Sequence, residues 1–194
     1  MRAKGEGVTL EAKVQELLAR GDAKEAATAA LRTHGPEVLG YLENALGDPD
    51  DARDVFQRFA EDLWTWLPSF RGGNLRAACY RIAWHAAARF RREAWRRRRE
   101  RMRTTMASRI AASITSPESR LATKPRDRLD RLRASLDPED RTLLILRLDR
   151  EMSWNEVAEI LSSEGDPIDA AAVRKRFERV KERLAKLAKE QGLI

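Results

Sequence analysis

The residues best suited to chemistry in this chain of 194 residues are cations and aromatic rings rather than catalytic groups. Nine arginines stand against two glutamates between positions 89 and 103, and Trp84, Phe90 and Trp95 lie on or beside this run. Arginine can hold a phosphate backbone while an aromatic ring stacks on an unpaired base, so the combination indicates binding of single-stranded nucleic acid. Buried aromatic residues are also common in small helical cores, which leaves Trp84 and Trp95 open between these two interpretations.

The remaining charge is segregated along the chain. Positions 170–189 hold eight basic residues against two glutamates, whereas positions 37–62 hold eight acidic residues against two arginines. A single basic run is often only a solvated helix face, but two basic runs and one acidic segment are harder to explain by solubility. The excess of 38 basic over 31 acidic residues also favours an acidic partner such as nucleic acid.

Nothing in the sequence predicts an enzyme. His34 and His85 fall in different predicted helices, and Cys79 is the sole cysteine, so neither a metal site nor a Cys-His pair is indicated. No phosphate-binding loop, dinucleotide fingerprint or nucleophile elbow is present, and we expect no cofactor and no small-molecule substrate. The cysteine usage and the short apolar runs predict a cytoplasmic protein without direct membrane insertion.

Apolar residues recur at helical spacing nearly throughout, which predicts an all-α protein with two small domains joined by a flexible linker. In the N-terminal domain, residues 1–103, we expect a helical hairpin broken at Gly21-Asp22 and a new helix that restarts after Gly35-Pro36. Asp50 or Asp51 is expected to cap the following helix. A loop with paired glycines then leads into the basic helix that begins at Leu75.

The stretch 104–128 is richer in Ser, Thr and Pro and predicts the interdomain linker. In the C-terminal domain, residues 129–194, we expect a helix opened by Asp137-Pro138, a second helix with a capping box from Ser153 to Glu156, and a third helix capped by Asp169. This order is typical of a helix-turn-helix, whose last helix can enter a major groove. An amphipathic coiled-coil hairpin is the alternative for this unit.

Several short motifs, in this order and at this spacing, resemble those of extracytoplasmic-function sigma factors, the two-domain promoter-recognition subunits of bacterial RNA polymerase. The motifs are Leu17–Asp22, Asp51–Gln57, Phe70–Asn74, Tyr80–Ala83, Leu136–Arg141, Met152–Ala158 and Val173–Arg176. The resemblance implies a non-enzymatic initiation factor whose partners are core RNA polymerase, promoter DNA and an anti-sigma factor. His85 replaces the asparagine usual in the family, and the turn from Leu161 to Val173 is about five residues longer than the family's turn.

The resemblance also implies three sets of binding residues. Core polymerase would be bound by Asp51, Asp54, Gln57 and Arg58. The non-template strand of the minus-ten element would be held by Phe70, Arg71, Gly72, Gly73, Asn74, His85, Arg89 and Arg92. The minus-thirty-five element would be read as duplex by Arg174, Lys175, Arg176, Glu178 and Arg179.

Two other classes of protein stay open at this point. A stand-alone helix-turn-helix regulator with a helical sensor or dimerisation domain would bind a palindromic duplex unaided as a dimer. A sigma factor would bind weakly alone and site-specifically only with core polymerase. A helical adaptor is suggested by the Ala-rich flanks of Gly21-Asp22, but a second copy of that hairpin at a fixed period is missing.

Overall fold

The computed structural model of the protein describes residues 9–104, 132–133, 135–162 and 165–190. These residues are mostly helical and form no β-strand, which confirms the predicted all-α class. The predicted linker 104–128 lies outside the described residues apart from Thr104.

The described ranges contain seven α-helices and two short helical turns of other types. The helices are α1 (Leu10–Ala19), α2 (Ala23–Leu46), α3 (Pro49–Trp66), α4 (Leu75–Thr104), α5 (Pro138–Leu144), α6 (Trp154–Leu161) and α7 (Ala170–Glu190). A 3₁₀ turn, Leu67–Ser69, follows α3, and a π-helical turn, Ile145–Asp149, extends α5.

The predicted break at Gly35-Pro36 is wrong, because α2 runs through both residues. Proline removes one backbone hydrogen bond from a helix interior and usually kinks or ends the helix. Here tertiary packing outweighs that cost, since Gly35 is buried where α2 passes α3. A Cβ atom at position 35 would lie 3.4 Å from the Phe56 ring, so glycine serves close packing rather than a break.

The start of α3 also differs from the prediction. The N-cap is Asp48, whose Oδ1 accepts hydrogen bonds from the backbone N–H groups of Asp50 at 2.9 Å and Asp51 at 3.0 Å. Pro49 occupies the first helical turn, where its missing N–H costs nothing. The two aspartates predicted as caps therefore lie inside the first turn, and their backbone N–H groups donate the capping hydrogen bonds.

One continuous apolar core joins the N-terminal and C-terminal residues that the structure describes. It includes Phe59 and Tyr80 from the N-terminal half and Leu143 from the C-terminal half. The Tyr41 hydroxyl lies 3.4 Å from Oγ1 of Thr142. The two halves are therefore in direct contact across α2.

The C-terminal helices follow the predicted order. The Ser153–Glu156 capping box is formed, and Asp169 Oδ1 accepts a 2.6 Å hydrogen bond from the Ala172 N–H at the start of α7. The apolar stripe of α7 faces inward: Val173, Phe177 and Val180 are buried, and Leu184 and Leu187 are half-buried. Leu148, by contrast, is 52% exposed, since the π-helical turn changes the rotation of the residues that follow α5.

Substitution of Phe59, a buried ring in the middle of α3, tests how much this part of the core contributes to the free energy of unfolding. Phe59 is fully buried, so Phe59→Ala is expected to lower the free energy of unfolding by about 3–5 kcal/mol. Trp64, on the same helix, is 48% exposed, and Trp64→Ala is expected to change the free energy of unfolding by less than about 1 kcal/mol. Urea denaturation followed by circular dichroism measures both; equal losses would contradict this assignment of the core.

Candidate nucleic-acid interface

The loop before α4, residues 70–74, is held in shape by its first and last residues and by two glycines. Phe70 is buried and its ring centroid lies 5.7 Å from that of Trp66, so this predicted site residue points into the core. Gly72 and Gly73 have φ angles of +109° and +105°, a region that favours glycine. Asn74 closes the loop, because its Oδ1 accepts a 2.9 Å hydrogen bond from the N–H of Ala77. The loop therefore offers backbone and the exposed side chains of Arg71 and Asn74 to a ligand.

The predicted strand-binding residues on α4 share one face. His85 and Arg92 are seven residues apart, which places them on the same side of a helix, and Arg89 flanks them. Burial, followed by the positive charges of Arg81, Arg89 and Arg92, lowers the pKa of His85, so the imidazole is neutral near pH 7. Arg89 forms an ion pair with Asp62 of α3, whereas Arg92 is exposed.

Two cations on this helix were not singled out from the sequence. Arg81 lies one turn before His85 and pairs with Glu159 of α6 at 3.5 Å, a position that helical spacing alone could have indicated. Arg91 lies 4.9 Å from the Trp84 ring centroid, and its buried Nη1 makes no hydrogen bond within the described part of the chain. No sequence signal distinguishes Arg91 from its neighbours, because its burial depends on the approach of the C-terminal half.

The two tryptophans left open by the sequence have different surroundings. Trp84 is 6% exposed and belongs to the core, whereas Trp95 is 64% exposed. Both line an open groove of about 920 Å³ between α4 and the start of α5, together with Arg91, Arg96 and Arg176. The groove combines aromatic walls with a positive rim, since only Asp137 and Glu139 contribute negative charge.

The acidic face of α3 points away from the core. Asp54 and Gln57 are exposed, and Asp51 is half-buried. Burial, then the neighbouring acids Asp48, Asp54 and Asp50, raise the pKa of Asp51. Arg58 behaves differently: it pairs with Glu93 at 2.9 Å and lies 5.7 Å from the Phe90 ring centroid, so it joins α3 to α4.

Four of the five residues predicted to read duplex DNA are exposed on α7: Arg174, Lys175, Glu178 and Arg179. Arg176 lies on another side of the helix. Its Nε atom is 2.6 Å from Asp140 Oδ1 and its Nη1 atom is 2.5 Å from Glu139 Oε2. Asp140 is 5% exposed, so Arg176 compensates a buried carboxylate and fixes α7 against α5.

The described residues provide neither a cluster of metal ligands nor an ionised thiol. Within the described ranges, no group of His, Cys, Asp and Glu is arranged to hold a metal ion. Burial raises the pKa of the Cys79 thiol to about 12, which keeps it protonated at neutral pH. No described helix combines the length and apolarity needed to cross a bilayer.

The different surroundings of neighbouring cations on α7 predict different effects on stability. Arg176→Met removes one of two partners of a buried carboxylate, since Arg183 still lies 3.2 Å from Asp140, and is expected to lower the free energy of unfolding by about 1–3 kcal/mol. Lys175→Met changes an exposed side chain, and a shift within about 0.5 kcal/mol is expected. Thermal and urea unfolding of the two variants provide the comparison; a neutral Arg176→Met would show that the Asp140 contact does not hold α7.

A protein-family model matches part of the chain. Residues 30–97, which include the α3 face, the glycine loop and most of α4, match the family model of sigma-70 region 2. Within this segment, the match confirms the resemblance to sigma factors predicted from the sequence. No curated protein matches the chain.

Two solved structures share the fold. The first is CnrH in complex with the cytosolic domain of CnrY, which is 20% identical with a TM-score of 0.63 over 94% of this chain and 99% of that chain. The second is the sigma factor RpoE in complex with the anti-sigma factor NepR from Bartonella quintana, which is 21% identical with a TM-score of 0.56 over 82% of this chain and 94% of that chain.

Proposed function

We propose that the protein is an extracytoplasmic-function sigma factor, which binds core RNA polymerase and directs promoter recognition, DNA melting and transcription initiation. The observation that carries the proposal is the match of residues 30–97 to sigma-70 region 2, because that segment contains both the acidic face of α3 and the basic face of α4. The chain itself performs no reaction in this proposal. RNA synthesis belongs to the polymerase, and the protein contributes position and sequence preference.

The outer face of α3 is the proposed contact with core polymerase. Asp54 and Gln57 are exposed on α3, whereas the proposed strand-binding residues lie on α4 and the loop before it, so a protein partner and DNA would use different elements. A partner with positive charge opposite the acids of α3 would be steered to this face. Arg58 pairs with Glu93 of α4. In this proposal it therefore holds α3 in place and does not contact the polymerase itself.

The glycine loop and the adjoining face of α4 are the proposed site for the non-template strand of the minus-ten element. Extrusion of a base from the stack costs a few kcal/mol, so the strand needs a preformed pocket and cationic support. Phe70 and the paired glycines hold the loop in shape, and Arg71 and Asn74 carry donors at its surface, which in this structure donate to the Pro68 carbonyl and to Glu156. A neutral His85 can exchange hydrogen bonds with a base, while Arg92 neutralises the backbone.

The exposed start of α7 is the proposed reader of the minus-thirty-five duplex. Arg174, Lys175, Glu178 and Arg179 lie within its first three turns, and α6 precedes it as the first helix of a helix-turn-helix. Arg176 has no base contact in this proposal, because Asp140 and Glu139 hold its guanidinium.

The proposal includes a protein inhibitor and a location in the cell. RpoE, whose fold this chain shares, was solved with an anti-sigma factor, and we propose a regulatory partner of the same kind here. Action on RNA polymerase implies the cytoplasm. A stand-alone helix-turn-helix regulator is the competing class, and binding of the isolated chain to a palindromic duplex would identify it.

Core-polymerase binding and DNA reading should be separable by substitution. Purified protein mixed with core RNA polymerase is expected to co-elute with it on size exclusion. The complex is then expected to enrich a common promoter sequence from a random-sequence duplex library. Asp54→Ala is expected to weaken association with polymerase about three- to tenfold without changing the selected sequence. Glu43→Ala, an exposed acid on α2, is the matched control and is expected to leave association unchanged.

The double variant Lys175→Ala with Arg179→Ala is expected to show the opposite pattern. Association with polymerase should be retained, while preference for the upstream element falls about tenfold or more. If Asp54→Ala instead changed the selected sequence and the double variant instead weakened association with polymerase, the polymerase-binding and DNA-binding surfaces would have been assigned the wrong way round. No co-elution at moderate salt, together with tight dimeric binding to duplex DNA, would contradict the proposed function and favour the regulator.

A further inference from the structure

Helix α6 lies on the proposed strand-binding part of the protein. Of the C-terminal elements that the structure describes, it makes the most extensive contact with the N-terminal half, and that contact is with α4. The helix carries two acidic residues, Glu156 and Glu159, and no basic ones. Both carboxylates bind donors in or beside α4.

Glu156 joins the starts of two helices. Its Oε2 accepts a 2.7 Å hydrogen bond from the Ser153 N–H in the capping box of α6. Its Oε1 accepts a 2.6 Å hydrogen bond from Nδ2 of Asn74, the residue that caps α4. The hydrogen bonds from Ser153 and Asn74 lower the pKa of Glu156, so the carboxylate is charged at neutral pH. A negative charge is also favourable at the positive end of the α4 dipole.

Glu159 makes the second contact about two turns further along α4. Its Oε1 lies 3.5 Å from Nη1 of Arg81, and the two side chains are 49% and 34% exposed. Ion pairs with this much solvent exposure contribute little stability and can open readily. Arg81 lies four residues before His85, so the contact covers the start of the face proposed for the DNA strand.

We propose that α6 is an internal competitor for the DNA strand. The carboxylates of Glu156 and Glu159 hold Asn74 and Arg81 where the polar and anionic groups of the strand would otherwise bind, so the contact between α4 and α6 must open before the strand is bound. The inference rests on the proposed function, because that function assigns Asn74 and the adjacent face of α4 to DNA. Only molecules with an open contact can bind the strand. The apparent affinity for the strand is therefore the affinity of the open form multiplied by the fraction of molecules that are open.

A pair of isosteric substitutions tests the competition. Glu156→Gln with Glu159→Gln removes both charges, and glutamine at position 156 can still complete the capping box of α6. The probe is a fluorescein-labelled pool of random-sequence single strands of roughly 20 nucleotides, with binding followed by anisotropy. The double variant is expected to bind about three- to tenfold more tightly than the unsubstituted protein.

A matched control separates the contact from bulk charge. Glu43→Gln with Glu61→Gln removes the same number of charges from exposed positions on α2 and α3, and a gain of less than about twofold is expected. Hydrogen exchange supplies an independent readout of opening. The amides of Leu75–Tyr80 should exchange faster in the α6 variant than in the control, because opening exposes the start of α4.

Each other outcome overturns the inference in a recognisable way. Equal gains in the two double variants would show that only net charge acts. Unchanged exchange and affinity in the α6 variant would show that α6 does not compete, while co-elution with core polymerase would still support the proposed function. Faster exchange without any binding of single strands would contradict both the competition and the assignment of DNA to α4.

Discussion

Burial of the facing apolar sides of α3 and α4 decides which charged side chains stay in water. Val55, Phe59 and Leu63 point inward from α3, and Tyr80 and Ala83 do so from α4. Asp54 of α3 and Arg92 of α4 are consequently left on outward faces, whereas Arg91 is partly buried by the C-terminal half. Surface ion pairs between the helices, such as that of Arg58 with Glu93, add little energy by comparison and refine their alignment. The separate acidic and basic surfaces are therefore a consequence of core packing.

The helices and several caps were predictable because they depend on local sequence. Helical periodicity, the capping box at Ser153 and the glycines of the loop each act within a few residues. The continuity of α2 through Gly35 was not predictable, since it depends on Phe56 of another helix. The same limit applies to the candidate site. The sequence identifies Arg176 as a cation on α7. Only the structure shows that it forms an ion pair with the buried carboxylate of Asp140 and so holds α7 against α5.

Contact between the two halves connects the candidate surfaces. The start of α7, which we propose to read duplex DNA, is exposed in this structure, whereas the start of α4 is partly covered by α6. Polar contacts such as that of Asn74 with Glu156 can exchange for contacts with a ligand at small net cost, because each donor keeps a partner. In the proposed function, access to the strand-binding face of α4 therefore depends on the position of the C-terminal half.

In the proposed function, an acidic face on α3 binds protein and separate basic faces on α4 and α7 bind DNA. Hydrogen–deuterium exchange of the protein bound to core RNA polymerase, with and without promoter DNA, distinguishes these faces. New protection is expected along α3 on binding polymerase, and added protection at the glycine loop, α4 and the start of α7 only when DNA is present. Protection of the start of α7 by duplex DNA in the absence of polymerase, with α3 unchanged by polymerase, would show that the faces do not act in this way.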